Sequence, residues 1–158
     1  MTLPEKLLED QKAAMRAGDE PRRDALRLLR SAIGYAEIEA GHTLNDEEAL
    51  AVIGKQVRQV KESIEGFQQG HRQDLIQKAE RELAILLVYL PQQLAPSEIE
   101  AEARKAIAEL GAQGPRDTGK VMAALMARLK GRAEGREVSA VVGRLLAGAS
   151  GSPAGRNP

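Results

Sequence analysis

A chain of 158 residues is long enough to fold as one domain or two small ones, burying roughly 68–70% of its unfolded surface. It contains no Cys and only His42 and His71, which excludes disulfides, thiol nucleophiles and a His/Cys zinc site; no metal and no cofactor is expected. Lys and Arg balance Asp and Glu at 23 each, and with only Tyr35, Phe67 and Tyr89 as aromatics, recognition of nucleic acid by base stacking is excluded and the core must be aliphatic.

The amino terminus, MTLPEKLLEDQ, lacks a basic region leading into an apolar run, and nowhere do eighteen apolar residues stand together. A soluble, cytoplasmic protein without a membrane partner is the expectation. Every long segment has helical period and none alternates like a strand, so the fold class is all-α.

Thr2 with Glu5 forms a capping signal for a first helix that ends at Gly18. Asp19 caps a second, with Ala25, Leu28, Leu29, Ala32, Ile33 and Ala36 as its apolar stripe, running to Gly41. Asn45 with Glu48 opens a third, on which Leu50, Ile53, Val57, Val60, Ile64 and Phe67 recur at steps of three and four. Gly70-His71 interrupts it, and Ile76, Ala79, Leu83, Leu86 and Leu90 repeat the pattern on a fourth. Two such seams joined by a short loop predict an antiparallel helical hairpin.

Pro91 and Pro96 in LPQQLAP mark a boundary, because two proline rings so close together break any helix. Beyond it Ser97 with Glu100 forms another capping pair, and Ile99, Ala103, Ala106, Ile107 and Leu110 line a helix ending at Gly111. Val121, Met122, Leu125, Met126 and Leu129 belong to a short helix, GRAEG to a turn, and Val138, Val141, Val142, Leu145 and Leu146 to a last helix. The predicted organisation is an amino-terminal helical hairpin or bundle unit over 1–92, a small three-helix module over 97–147, and a tail over 148–158 with nothing to bury and expected to be disordered.

Residues 114–121, GPRDTGKV, match the opening of a phosphate-binding loop but have Val121 where a magnesium-binding hydroxyl belongs. Such a loop needs a strand before it, and the preceding segment ARKAIAELGA is helical. The simpler reading accounts for every residue: Gly111 ends one helix, Pro115 sits in the turn and Asp117 caps the next. The helix start beside Arg116 and Lys120 still offers a positive terminus to an RNA phosphate.

Charge favours the second part for an anionic partner. Residues 1–90 carry 13 Lys and Arg against 16 Asp and Glu, whereas residues 91–158 carry 10 against 7. The candidate nucleic-acid contacts are Arg116, Lys120, Arg128, Lys130, Arg132, Arg136 and Arg144. Beside them Ala123, Ala124 and Ala127, and on the next helix Ser139, Ala140 and Gly143, are small residues on outward faces, which permit close approach of a phosphate backbone or another helix. An ordinary solvated surface explains the same pattern.

No catalytic constellation emerges. Ser31, Ser63, Ser97 and Ser139 lie in helical segments or at a cap, both histidines lie in loops, and the pairs Glu62/Glu65 and Glu80/Glu82 and the trio Glu98/Glu100/Glu102 read as solvated helix faces. A DNA-reading helix-turn-helix over 118–147 ranks last, because the GRAEGR connection is longer than the usual turn, and no DNA is expected as partner.

The segments DTGKVMAALMARLKGRAEG and REVSAVVGRLL, preceded in order by ALRLLRSAI, VKESIEGFQQGHRQDL and AERELAILLVYLPQQL, resemble the YqeY-like proteins. The carboxy-terminal stretches also resemble the tail domain of the B subunit of bacterial tRNA-dependent amidotransferases. The likeness runs from about residue 3 to 147 with its motifs in register; Glu134 stands where Asp is expected, Ala123 where Gly is common and Val60 where a basic residue is frequent. Gly119, Lys120, Met122, Gly131, Arg132 and Gly135 carry over as motif positions, Met122 as core and the glycines as turn residues. The resemblance implies a tRNA-contacting module without catalysis of its own, or one docked on a tRNA-charging or amidating enzyme. It also attaches the grouping of carbon–nitrogen ligases that use glutamine as amido donor.

Overall fold

The computed structural model describes residues 1–151. Among them are seven α-helices and no strand: α1 (Leu3–Ala17), α2 (Glu20–Ala40), α3 (Asp46–Gln69), α4 (Gln73–Leu87), α5 (Pro96–Leu110), α6 (Thr118–Leu129) and α7 (Gly135–Gly151). The fold is all-α. The chain divides into two compact units, one ending at Pro91 and one beginning at Gln92.

In the first unit the start signals act as their chemistry requires. Thr2 accepts from the Glu5 amide at 3.3 Å while the Glu5 carboxylate accepts from the Thr2 amide at 3.0 Å; Asn45 and Glu48 repeat the exchange at 2.8 and 2.9 Å, and Asp19 accepts from the Arg22 amide. Gly18 and Gly41 end their helices in the left-handed conformation that glycine adopts without strain. Between α3 and α4 that conformation falls on His71 (φ 55°) and not on Gly70.

Helices α3 and α4 pack against one another as the expected hairpin. Its buried seam is Ala49, Ile53, Val57 and Val60 facing Ala79 and Leu86, with Ile64, Phe67 and Leu83 half-buried beside it. Ala49, not Leu50, holds the first seam position. On α2 the buried residues are Ala25, Leu26, Leu29 and Ile33, whereas Leu28, expected in the stripe, is exposed. Leu7 of α1, Leu44 just before α3 and Tyr89, just past α4, complete this core.

The Tyr89 hydroxyl donates to Asp10 of α1 at 2.6 Å and accepts from Arg22 of α2 at 3.5 Å, so one phenol ties three helices together. Burial, and then the Asp10 carboxylate, push the Tyr89 hydroxyl up beyond its ordinary range.

The second unit has its own core: Ile99, Ala103 and Ala106 from α5, Val121, Leu125 and Leu129 from α6, Ala133 from the turn, and Val138, Val142 and Leu146 from α7. The expected capping pair Ser97/Glu100 does not form. Proline takes the first helical position, where its missing amide costs nothing, so the helix starts earlier; Ala95 is the cap residue and its amide donates to Glu98 at 2.8 Å. Helix α7 continues to Gly151, and residues 152–158 of the expected tail lie outside the described residues.

Candidate nucleic-acid interface

The octet Gly114–Val121 is a turn that runs into the start of α6. After Gly111 closes α5 in the left-handed conformation, Pro115–Asp117 form one 3-10 turn and α6 begins at Thr118, whose hydroxyl donates to the Pro115 carbonyl at 2.6 Å. No strand precedes it, so backbone amides are not gathered into a phosphate loop. Asp117 occupies the cap position of α6 but does not cap it: its carboxylate accepts instead from the Gln113 amide at 2.9 Å, which holds the turn from the other side.

All seven candidate cations are exposed, and they are distributed over four places. Arg116 stands on the 3-10 turn. Lys120 and Arg128 lie on the side of α6 that meets the end of α5: the Lys120 ammonium donates to the Leu110 carbonyl at 3.4 Å, satisfying a carbonyl left open at the helix end, and Arg128 pairs with Glu109. Arg144 of α7 donates to Glu100 of α5 at 3.2 Å, and Arg104 reaches the same oxygen at 3.1 Å. These hydrogen bonds, Arg144 first and then Arg104, hold the Glu100 carboxyl below the usual glutamate range. Glu100 and Glu109 are nine positions apart, half a turn out of phase at 3.6 residues per turn. Arg128 and Arg144 therefore sit on opposite flanks of α5 and do not join in one patch.

Lys130, Arg132 and Arg136 cluster at the connection of α6 to α7. Here the segment after Pro91 lies across the turn. Leu94 donates its amide to the Arg132 carbonyl at 2.8 Å, the Gln93 side-chain amide donates to the Gly131 carbonyl at 2.7 Å, and Arg132 Nε donates to the Gln92 carbonyl at 3.2 Å. Gly131 needs its glycine, with φ 73°. Gly119 and Gly135 have negative φ and open space where a Cβ would stand, so neither local strain nor crowding explains them. Met122 is half-buried against the core, and Ala123, Ala127, Ser139, Ala140 and Gly143 are exposed.

Nothing in the local sequence marks the acidic partners. Glu100 and Glu109 look like ordinary solvated glutamates, and what identifies them is a cation 44 and 19 residues away. Gln92 and Gln93 likewise stand in the sequence only as part of a boundary. Among the described residues no group of three or more His, Asp or Glu side chains is placed to hold a metal ion, and no helix is long and apolar enough to cross a membrane.

A family model described as Yqey-like protein matches residues 4–146. Similar curated proteins include three called "Altered inheritance of mitochondria protein 41, mitochondrial". That of Pyrenophora tritici-repentis is 32% identical over 130 residues, 81% of this chain and 71% of that protein. The one from Lachancea thermotolerans is 39% identical over 99 residues, 62% and 53%, and the one from Vanderwaltozyma polyspora is 34% identical over 107 residues, 66% and 58%. The chain thus spans little more than half the length of the last two relatives.

Proposed function

The chain belongs to the YqeY-like protein family, and on that premise we propose that it is a non-catalytic adaptor whose second unit holds tRNA by its phosphate backbone. The observation that carries this reading is the exposure of all seven cations between Arg116 and Arg144, against three acids in the same span. Exposed small residues on α6 and α7 leave room for a backbone to approach. With cations and no stacking surface, binding is led by charge and shape.

A titration of the full chain against bulk tRNA tests it. For about four phosphate contacts, raising salt from about 50 to about 200 mM lowers affinity about 100-fold. Removing the charge of Arg116 or Arg136 reduces the salt slope by about one unit each. Absence of association at low salt, or indifference to both changes, refutes the proposal.

A second reading has its own support. Arg128 and Arg144 are already ion-paired within the unit, which leaves fewer cations for RNA and favours docking on a tRNA-charging or amidating enzyme through helix faces. A partner retained in a pulldown after nuclease treatment selects this reading; one lost with the RNA selects the first. The ligase grouping would require glutamine hydrolysis by the pure protein, which we expect to be undetectable. A cytoplasmic setting belongs to the proposal as well: the relatives' names place those proteins in mitochondria, and both compartments contain tRNA.

A further inference from the structure

Glu100 of α5 takes two arginines on one oxygen. Arg104, one turn along the same helix, donates to Oε1 at 3.1 Å, and Arg144 of α7 donates to that same atom at 3.2 Å. The two donating nitrogens therefore lie no further apart than those two bonds laid end to end. Like charges so close repel, and the carboxylate between them is what keeps them together. This group carries two positive charges against one negative, whereas Arg128 and Glu109 on the other flank of α5 cancel. One arginine would satisfy Glu100; the second leaves a surplus cation fixed on the α5–α7 face.

Each guanidinium offers five N–H donors in a rigid planar fork. Among the described residues neither bonds to any other acceptor, and the side chains of Arg104 and Arg144 are 65% and 61% exposed, so most of those donors are open to solvent. No bulky neighbour screens them. The residues three and four places away on each helix, Ala101 and Ala108 on α5 and Ala140, Ala147 and Gly148 on α7, are small and exposed. Two forks held side by side on an open surface fit a phosphate group, whose oxygens accept from both at once.

We propose that Glu100 positions Arg104 and Arg144 as a two-arginine clamp for an RNA backbone phosphate. The clamp rests on the tRNA reading above and adds to it Arg104, which precedes the span from Arg116 to Arg144. Glu100 is a positioning residue, in contact with the arginines and not with the RNA.

Titration of the full chain with bulk tRNA at about 0.1 M salt tests it. Because both guanidinium groups serve one phosphate, Arg104→Gln, Arg144→Gln and the double variant all weaken binding to a similar extent, about tenfold, the worth of one phosphate contact at that salt. Glu100→Ala adds a net positive charge yet weakens binding, whereas Glu102→Ala, the same truncation on the same helix outside the clamp, does not. Glu100→Gln has the net charge of Glu100→Ala but keeps an accepting oxygen, and it binds more tightly than Glu100→Ala. None of these side chains is buried, so far-UV circular dichroism stays unchanged. Failure of the unmodified chain to bind tRNA at about 50 mM salt overturns the tRNA reading and the clamp with it. If tRNA binds but Arg104→Gln is without effect, if the two arginine losses multiply, or if Glu100→Ala binds as tightly as Glu102→Ala or Glu100→Gln, the clamp alone is overturned.

Discussion

Tyr89 is one of three aromatics in the chain, and the sequence offers it only as an apolar residue near the end of a seam. Its polar end decides its role. Because Asp10 lies 79 residues away in sequence, nothing local announces the bond between them. Tyr89→Phe keeps the buried ring and deletes the hydroxyl, and should cost about 1.5 kcal/mol in urea denaturation, the size of a hydrogen bond to a charged group. Glu100 gives a prediction of the opposite kind. Its folded carboxyl is held low by Arg144 and Arg104, so its contribution to stability is present above the ordinary glutamate range near about 4.3 and disappears as pH falls through the lower folded value. Stability of the Glu100→Gln variant should fall less steeply on acidification, and carbon-detected NMR titration should place the Glu100 midpoint below the other glutamates. The turn glycines separate in the same way: Gly131→Ala forces a side chain into left-handed backbone and should destabilise by about 1 kcal/mol or more. Gly119→Ala, in open helical space, should instead stabilise by about 0.4–1 kcal/mol. If that alanine also weakens tRNA binding, the α6 surface is approached closely.

At the scale of elements, helical period and capping chemistry make most of the fold legible in the sequence: the boundaries at Gly18, Gly41, Gly111 and Asn45 follow from single residues whose local chemistry has one good outcome. Register within a helix was less secure. Where Leu26, Leu28 and Leu29 stand nearly side by side, steps of three and four fit more than one stripe, and only packing against α1, α3 and α4 decides that Leu26 goes inside. Leu26→Ala should therefore cost about 2–5 kcal/mol, as a cavity in a closed core does, whereas Leu28→Ala should stay within about 0.5 kcal/mol. Thermal unfolding of the pair distinguishes them. The start of α5 departs from the expected one for a related reason: Glu98 can close back on Ala95 and Glu100 on Ser97, and proline's preference for the first helical position settles which is used. The choice releases Glu100 to gather Arg104 and Arg144.

Across the whole molecule, each unit closes a buried cluster of its own, one built mostly on Leu and Ile with Tyr89, the other on smaller Val and Ala. Ile53→Ala and Leu125→Ala should accordingly act on different calorimetric transitions, each lowering one midpoint and leaving the other in place. The exposure of the candidate cations followed from amphipathic patterning; their allocation to opposite flanks of α5 did not, because ion pairs between helices are set by tertiary placement. The three hydrogen bonds that lay Gln92–Leu94 over the α6–α7 turn bear on how the second unit can be isolated. A recombinant fragment started at Ser97 would look complete by its helices, yet it would strip the Gly131 and Arg132 carbonyls of their donors and leave a wet, frayed corner beside Ala133. Begun at Gln92, the same fragment keeps its own lid.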